Sequence, residues 1–197
     1  MAYGKRWKGR TAQQLRQAAI HEAGHAVANR VVGMACGEAS IVPDDDEMSA
    51  GVAIVEKPQL IERAWKRVQP HGESVMCGRI IGFMAGREAE IIAFGTKHEI
   101  DDGNDRRQIE LMAEQAGVSE AYLARLRTKV GPLLRRHWYK VERVAESLLI
   151  RKTLSGPDID ALIRKATTSH ERAIAKRIEA PRKADREMMA WQFRESR

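Results

Sequence analysis

Aromatic residues are scarce. Four tryptophans, three tyrosines and three phenylalanines make up 5% of the 197 residues. The helix formers Ala, Glu, Arg, Leu and Ile dominate instead, so a mainly α fold is expected. Cysteine is scarcer still. Cys36 and Cys77 lie far apart with no CxxC spacing, which argues against a disulfide framework and leaves two buried thiols as the expectation. No apolar run approaches the roughly 20 residues that a membrane-spanning helix requires. The first residues lack the apolar segment of a signal peptide, so a cytoplasmic location is expected. Acid is absent from residues 1–10, which carry Lys5, Arg6, Lys8 and Arg10 and read as a basic flexible arm. Elsewhere acids are interspersed among the bases that give the formal charge of +7. No helix-turn-helix or finger pattern accompanies that charge, and nucleic acid is not the expected partner. No GxxxxGK[ST] phosphate loop occurs, so no ATPase chemistry is expected of the chain itself.

What is present suffices for one folded domain. Hydrophobic residues are 43% and charged residues 31% of the chain, a balance that favours a packed core over disorder. Thr11 followed by Gln14 reads as a capping box that opens a helix reaching about Val32, with Gly33 at its end. Two β-like runs, Glu38 to Pro43 and Gly51 to Val55, flank an acidic turn at Asp44–Glu47 and suggest a small hairpin. A strong apolar pattern predicts a helix from Glu73 to Phe94 stopped by Gly95. Further helices are expected from Asn104 to Ala116, from Ser119, from Pro132 to about Arg151, and from Asp158 to about Ala180. Ser155, Gly156 and Pro157 read as a turn. The domain is thus placed at residues 11–180, followed by a charged tail at 181–197.

The chemistry concentrates at His21-Glu22-Ala23-Gly24-His25, an HExxH sequence inside the first helix. Side chains four apart share a helix face, so both imidazoles can reach one ion. Zinc accepts nitrogen ligands in a tetrahedral shell and, in catalytic sites, keeps one position for water. Glu22 is then the candidate general base for a zinc-activated water. Gly24 costs about 1 kcal/mol in a helix interior relative to alanine, so it requires a packing or access reason. A third ligand is needed. His98, Glu99, Asp101, Asp102 and Asp105 are all candidates, and spacing does not choose among them. Asp105, at a helix start, could equally serve only as a cap or favour the helix dipole.

Four separated segments resemble, in order, the peptidase domain of the FtsH family of ATP-dependent zinc metalloproteases. Ala19 to Val27 resembles its zinc helix. Met84-Ala85-Gly86-Arg87-Glu88-Ala89-Glu90 with Phe94-Gly95 resembles its GGRxAE…FG helix. Gly103-Asn104-Asp105 resembles its G-x-x-NDL segment, with Arg106 in place of the usual Leu. Ala145 to Leu149 with Leu154, Gly156 and Ile159 resembles its late A-x-x-LL…L-x-G-x-x-I stretch. The resemblance spans roughly Thr11 to Arg164. It implies a helical zincin-type domain with a small β-element near the site. It also implies His21, His25 and Asp105 as ligands of one zinc ion, and Glu22 as the catalytic base. That family normally adds a membrane anchor and an AAA ATPase module, and neither is read in this chain.

The leading expectation is therefore a stand-alone zinc metalloendopeptidase acting on peptides or unfolded protein. An unfoldase acting in trans is one implied partner, and a homo-oligomer, up to the family's hexamer, is another. The alternative is a catalytically silent, metal-containing module that docks a partner protein. His71 reads as a loop residue, His98 as a solvated loop residue near the site, and His137 and His170 as surface. The Gly51–Val55 run is a candidate to pair with extended substrate backbone.

Overall fold

Thr11 opens the central helix as its sequence predicts. Its hydroxyl accepts a hydrogen bond from the Gln14 amide at 3.2 Å, and the Gln14 side chain accepts one from the Thr11 amide at 2.8 Å. This reciprocal pair satisfies two of the donors that a helix start leaves open. The helix, α1, is Ala12–Val31. From Ala18 to Asn29 every residue except His21 is buried. A helix enclosed on all sides must be apolar or small on all sides, which is why this stretch is largely alanine. Gly33 ends it with φ +84°. The Gly33 amide bonds to the Arg30 carbonyl and the Met34 amide to the Asn29 carbonyl, a pairing that absorbs the last free carbonyls.

The molecule is represented by a computed structural model that describes residues 11–42, 52–55, 71–95 and 103–195, with side chains from 11–42, 76–95, 103–174 and at 177. Beyond α1 these hold β1 (Cys36–Ser40), β2 (Val52–Val55), α2 (His71–Phe94), α3 (Gly103–Ala116), α4 (Glu120–Arg136), α5 (Trp138–Arg151), β3 (Thr153–Ser155) and α6 (Gly156–Glu195). The fold is mainly helical, with one small antiparallel sheet of order β2-β1-β3. Among the described residues no helix is long and apolar enough to cross a membrane. The basic arm, the acidic turn at 44–47, and His98, Glu99, Asp101 and Asp102 lie outside the described residues.

The helix α1 packs against α2 on one side and α5 on another, with the sheet near its C-terminal end. The expected hairpin is present: β1 pairs antiparallel with β2, Ser40 opposite Val52 and Ala39 opposite Ala53. The third strand is a departure from the sequence reading. Thr153–Ser155, in part expected as a turn, pairs with β1, and the Ser40 and Thr153 hydroxyls meet at 2.9 Å. Three residues are too few to show an alternation, so only the neighbouring strand reveals them. The core joins Val27, Ile41 and Ile80 to Leu134, Val141, Val144, Leu148, Leu154 and Ile159, all fully buried. Arg30 ties α1 to α6 through the Asp160 carboxylate, Nε at 2.7 Å and Nη2 at 2.9 Å, and also donates to the Cys36 carbonyl at 3.3 Å.

Other boundaries differ from expectation. Pro132 does not open a helix but lies inside α4, and the break falls at His137. The helix α6 runs through Pro181 to Glu195 rather than stopping at Ala180, so the segment assigned to a tail is helical to 195. His71 begins α2 rather than sitting in a loop. His137 is half-buried, with a buried Nδ1 that finds no hydrogen-bond partner among the described residues, and is not a plain surface residue. His170 is exposed as expected and stacks on Tyr139. Both cysteines are free thiols, Cys36 buried and Cys77 half-buried against the Tyr122 hydroxyl at 2.8 Å. Burial pushes the Cys36 thiol up to about 11, against the partial offset of Arg30.

Candidate metal centre

Four residues form one stripe of α2, with Gly82, Gly86 and Glu90 facing α1 and Gly78 facing Val32 and Met34 just past its end. Their spacing of four puts them on a single helix face. The missing side chains let the helices approach. A Cβ at Gly82 would strike the Asn29 amide, and one at Gly86 would strike Nε2 of both His21 and His25. The reciprocal surface of α1 is equally bare. A Cβ at Gly24 would lie 2.7 Å from the Ala85 carbonyl oxygen and from the Ala89 methyl. Gly24 therefore has the packing reason that its cost in a helix demands.

In the space under Gly86, His21 and His25 sit edge to face with ring centroids 4.6 Å apart. Asp105 reaches them from the first turn of α3. Its Oδ2 lies 3.1 Å from His21 Nε2 and 3.0 Å from His25 Nε2. The Asp105 carboxylate is thus turned onto the imidazoles rather than spent as a helix cap. These three groups could hold a metal ion, since their donor atoms all lie within 4.8 Å of one another. Donors about 2.0–2.2 Å from a tetrahedral ion would be roughly 3.3 Å apart, close to the 3.1 and 3.0 Å between Asp105 Oδ2 and the two rings.

The far side of each ring is fixed as well. His21 Nδ1 lies 2.6 Å from Glu90 Oε1, and Glu90 Oε2 accepts from the Gln17 side chain at 2.7 Å. His25 Nδ1 lies 2.7 Å from the Gly82 carbonyl oxygen. Both partners can only accept, so Nδ1 carries the proton in each ring and Nε2 is turned to the shared space. Glu90 is 2% exposed, and its carboxylate is committed to these two bonds.

Glu22 completes the group. It is 4% exposed, and its Oε2 is buried with no hydrogen-bond partner among the described residues. An orphaned buried carboxylate oxygen is costly, so its retention points to a role outside the folded chain's own bonding. Burial raises its pKa, with both imidazoles pulling the other way.

Burial also disfavours the imidazolium of His21, yet the hydrogen bonds to Asp105 and Glu90 prevail and carry its pKa up to about 10. His25 moves in the same direction: burial opposes, and the Asp105 charge overrides. For Asp105 burial favours the neutral acid, but the His25 charge and the bonds from both rings hold it well below the usual carboxylate range. Asp105 faces Nε2 of both rings, so a metal ion would compete with protons for the same lone pairs.

The sequence reading named His21, Glu22, His25 and Asp105, and the structure brings all four together. It missed Glu90, Gln17, Gly82 and Gly86. The four-residue spacing of Gly78, Gly82, Gly86 and Glu90 was the available signal. A scan against protein-family models finds no match, and no curated protein matches the chain.

Proposed function

We propose that this chain is a zinc-dependent peptidase of the FtsH peptidase type. In this reading His21, His25 and Asp105 hold one zinc ion, and Glu22 acts as general base. The observation that carries it is the convergence of two imidazoles with a carboxylate more than seventy residues away in sequence, beside a buried acid with an oxygen left free. Two nitrogens and one oxygen form a donor set that suits zinc and leaves room for a further ligand. When bound, zinc supplies Lewis acidity to a water molecule and to a scissile carbonyl.

The chain's own residues supply the rest. Glu90 and the Gly82 carbonyl hold the two rings in one tautomer, so the metal-facing nitrogens need no reorganisation. Glu22 Oε2 has no competing bond, and it takes the proton of the attacking water and returns it to the leaving amine. The strand β2 lies at an edge of the sheet among the described residues and against α1, and its backbone is suited to pairing with an extended peptide. Peptides and unfolded protein are the substrates this implies. An unfoldase in trans, or a ring of copies of the chain, would extend its reach to folded ones.

The test is a digest of casein or a peptide library by the purified protein, with metal content measured alongside. The expected result is about one zinc per chain, and a loss of about 10²–10⁴-fold in cleavage on Glu22→Gln with zinc retained. Undiminished cleavage in that variant would remove Glu22 from its role. A protein that keeps zinc but cuts nothing would instead be a metal-containing docking module.

A further inference from the structure

A cleft of about 610 Å³ opens between α2, α3 and α4 and shares Asp105 with the metal centre. Its apolar walls include Phe83, Met84, Ile109, Leu123 and Val130. Its charged groups come from both signs, but they are not equally available. Arg106 pairs with Glu110 at 3.0 Å and Arg127 with Glu120 at 2.7 Å. Arg87 is engaged elsewhere. Glu88 is different. It lines the cleft and is half-buried, and it makes no hydrogen bond or ion pair with any described residue.

Room for this carboxylate is built into the opposite wall. A Cβ at Gly131 of α4 would lie 2.6 Å from Glu88 Oε1, so the glycine lets that oxygen rest against the α4 backbone. Gly131 sits in the interior of a helix, where glycine costs about 1 kcal/mol relative to alanine. Space of that kind, kept open for an acid without a partner, calls for a ligand that supplies one. The nearest fixed cations, Arg87 and Arg135, offset the charge only at a distance.

We propose that this cleft is a side-chain subsite for a lysine or arginine of the substrate, with Glu88 as the residue that reads it. This rests on the peptidase reading above. A basic side chain matches the lining in order: a methylene stem for the apolar walls, and a cationic head for Glu88 at the Gly131 end. An acidic side chain would bring a second carboxylate beside Glu88, where the two like charges repel. A purely aliphatic one would bury Glu88 against hydrocarbon and leave its desolvation uncompensated.

Binding separates this subsite from catalysis. In the full chain carrying Glu22→Gln and loaded with zinc, fluorescence anisotropy would follow labelled peptides that differ at one position as Lys, norleucine or Glu. The expected result is that the Lys peptide binds about tenfold or more tightly than the norleucine peptide, and that adding Glu88→Gln brings the two together. Glu88→Lys is expected to reverse the order in favour of the Glu peptide, with thermal unfolding checking that each variant is folded. Equal binding of Lys and norleucine, a preference untouched by Glu88→Gln, or no binding of any peptide would each overturn the subsite. Preserved Lys selectivity in a Glu22-intact protein that cleaves nothing would overturn the peptidase reading and leave the subsite standing.

Discussion

The seam between α1 and α2 and the part of the core filled from α4 and α5 are enclosed by opposite means. In the second, large aliphatic side chains fill the space: Leu134, Val141, Val144 and Leu148 are fully buried, and polar groups face outwards. In the first, the side chains at the contact are hydrogen or methyl, and the enclosed groups are Glu22, His25, Asn29 and Glu90. The difference has a physical reason. Burying a polar group is costly unless it finds a partner, and the partner of His25 Nδ1 is a backbone carbonyl, at Gly82. Only a helix stripped of Cβ atoms along one face brings its backbone that close. The aliphatic half supplies stability, and the bare half holds an unusual concentration of charge in fixed geometry.

The largest effect should come from refilling the bare contact. Gly86→Ala is expected to abolish stoichiometric metal in a protein that still folds. Overpacking of this kind costs about 1–3 kcal/mol in stability, and the added methyl occupies the space in front of both Nε2 atoms. Metal analysis after gel filtration would check it, and full metal occupancy would mean that the glycine stripe is not what positions the rings. Leu148→Ala should do the converse. It is expected to cost about 2–5 kcal/mol in urea unfolding while the folded fraction keeps its metal. If that variant loses metal in proportion to stability, the two halves are not separable.

Smaller changes sharpen the same contrast. Glu90→Gln preserves shape but weakens the bond that fixes His21, and a competition titration with a chelator should show about 10–100-fold weaker metal binding. Thr11→Ala, at the rim of α1, should cost only about 1 kcal/mol of stability and leave metal affinity alone.

The gentlest probe is pH. In metal-stripped protein Asp105 is held below its ordinary 3.8, so its contribution is present above that value and lost on acidification. His21 is raised from 6.5 to about 10, so its contribution is full below 6.5 and fades as pH climbs through 10. Thermal stability of the stripped protein should therefore peak between these limits, at pH 4 to 6.5, and decline towards pH 10. A rise in stability from pH 7 to 10 would contradict the arrangement of charges at the centre.

Much of this was readable in the chain before any fold was known. The Thr11 capping box, the ends at Gly33 and Gly95, and the hairpin depend on neighbours a few residues away, and short-range geometry fixes them. Pro132 and Pro181 misled. Each looks like punctuation, yet each lies within a helix, because tertiary packing can outweigh a lost hydrogen bond and α4 is anchored on both sides of Pro132 by buried Val130, Gly131 and Leu134. The strand β3 was invisible because three residues have no period.

The sequence by itself determined a mainly helical chain, the helix carrying His21, Glu22 and His25, and the shared face of the two imidazoles, since a four-residue spacing and a helical pitch leave no other arrangement. Only the tertiary structure decided which acid faces them, which nitrogen of each ring is turned to the shared space, and how α1 and α2 come close enough to enclose Glu22. Those features depend on atoms some sixty to eighty residues apart, and such distances are set by packing rather than by any local rule.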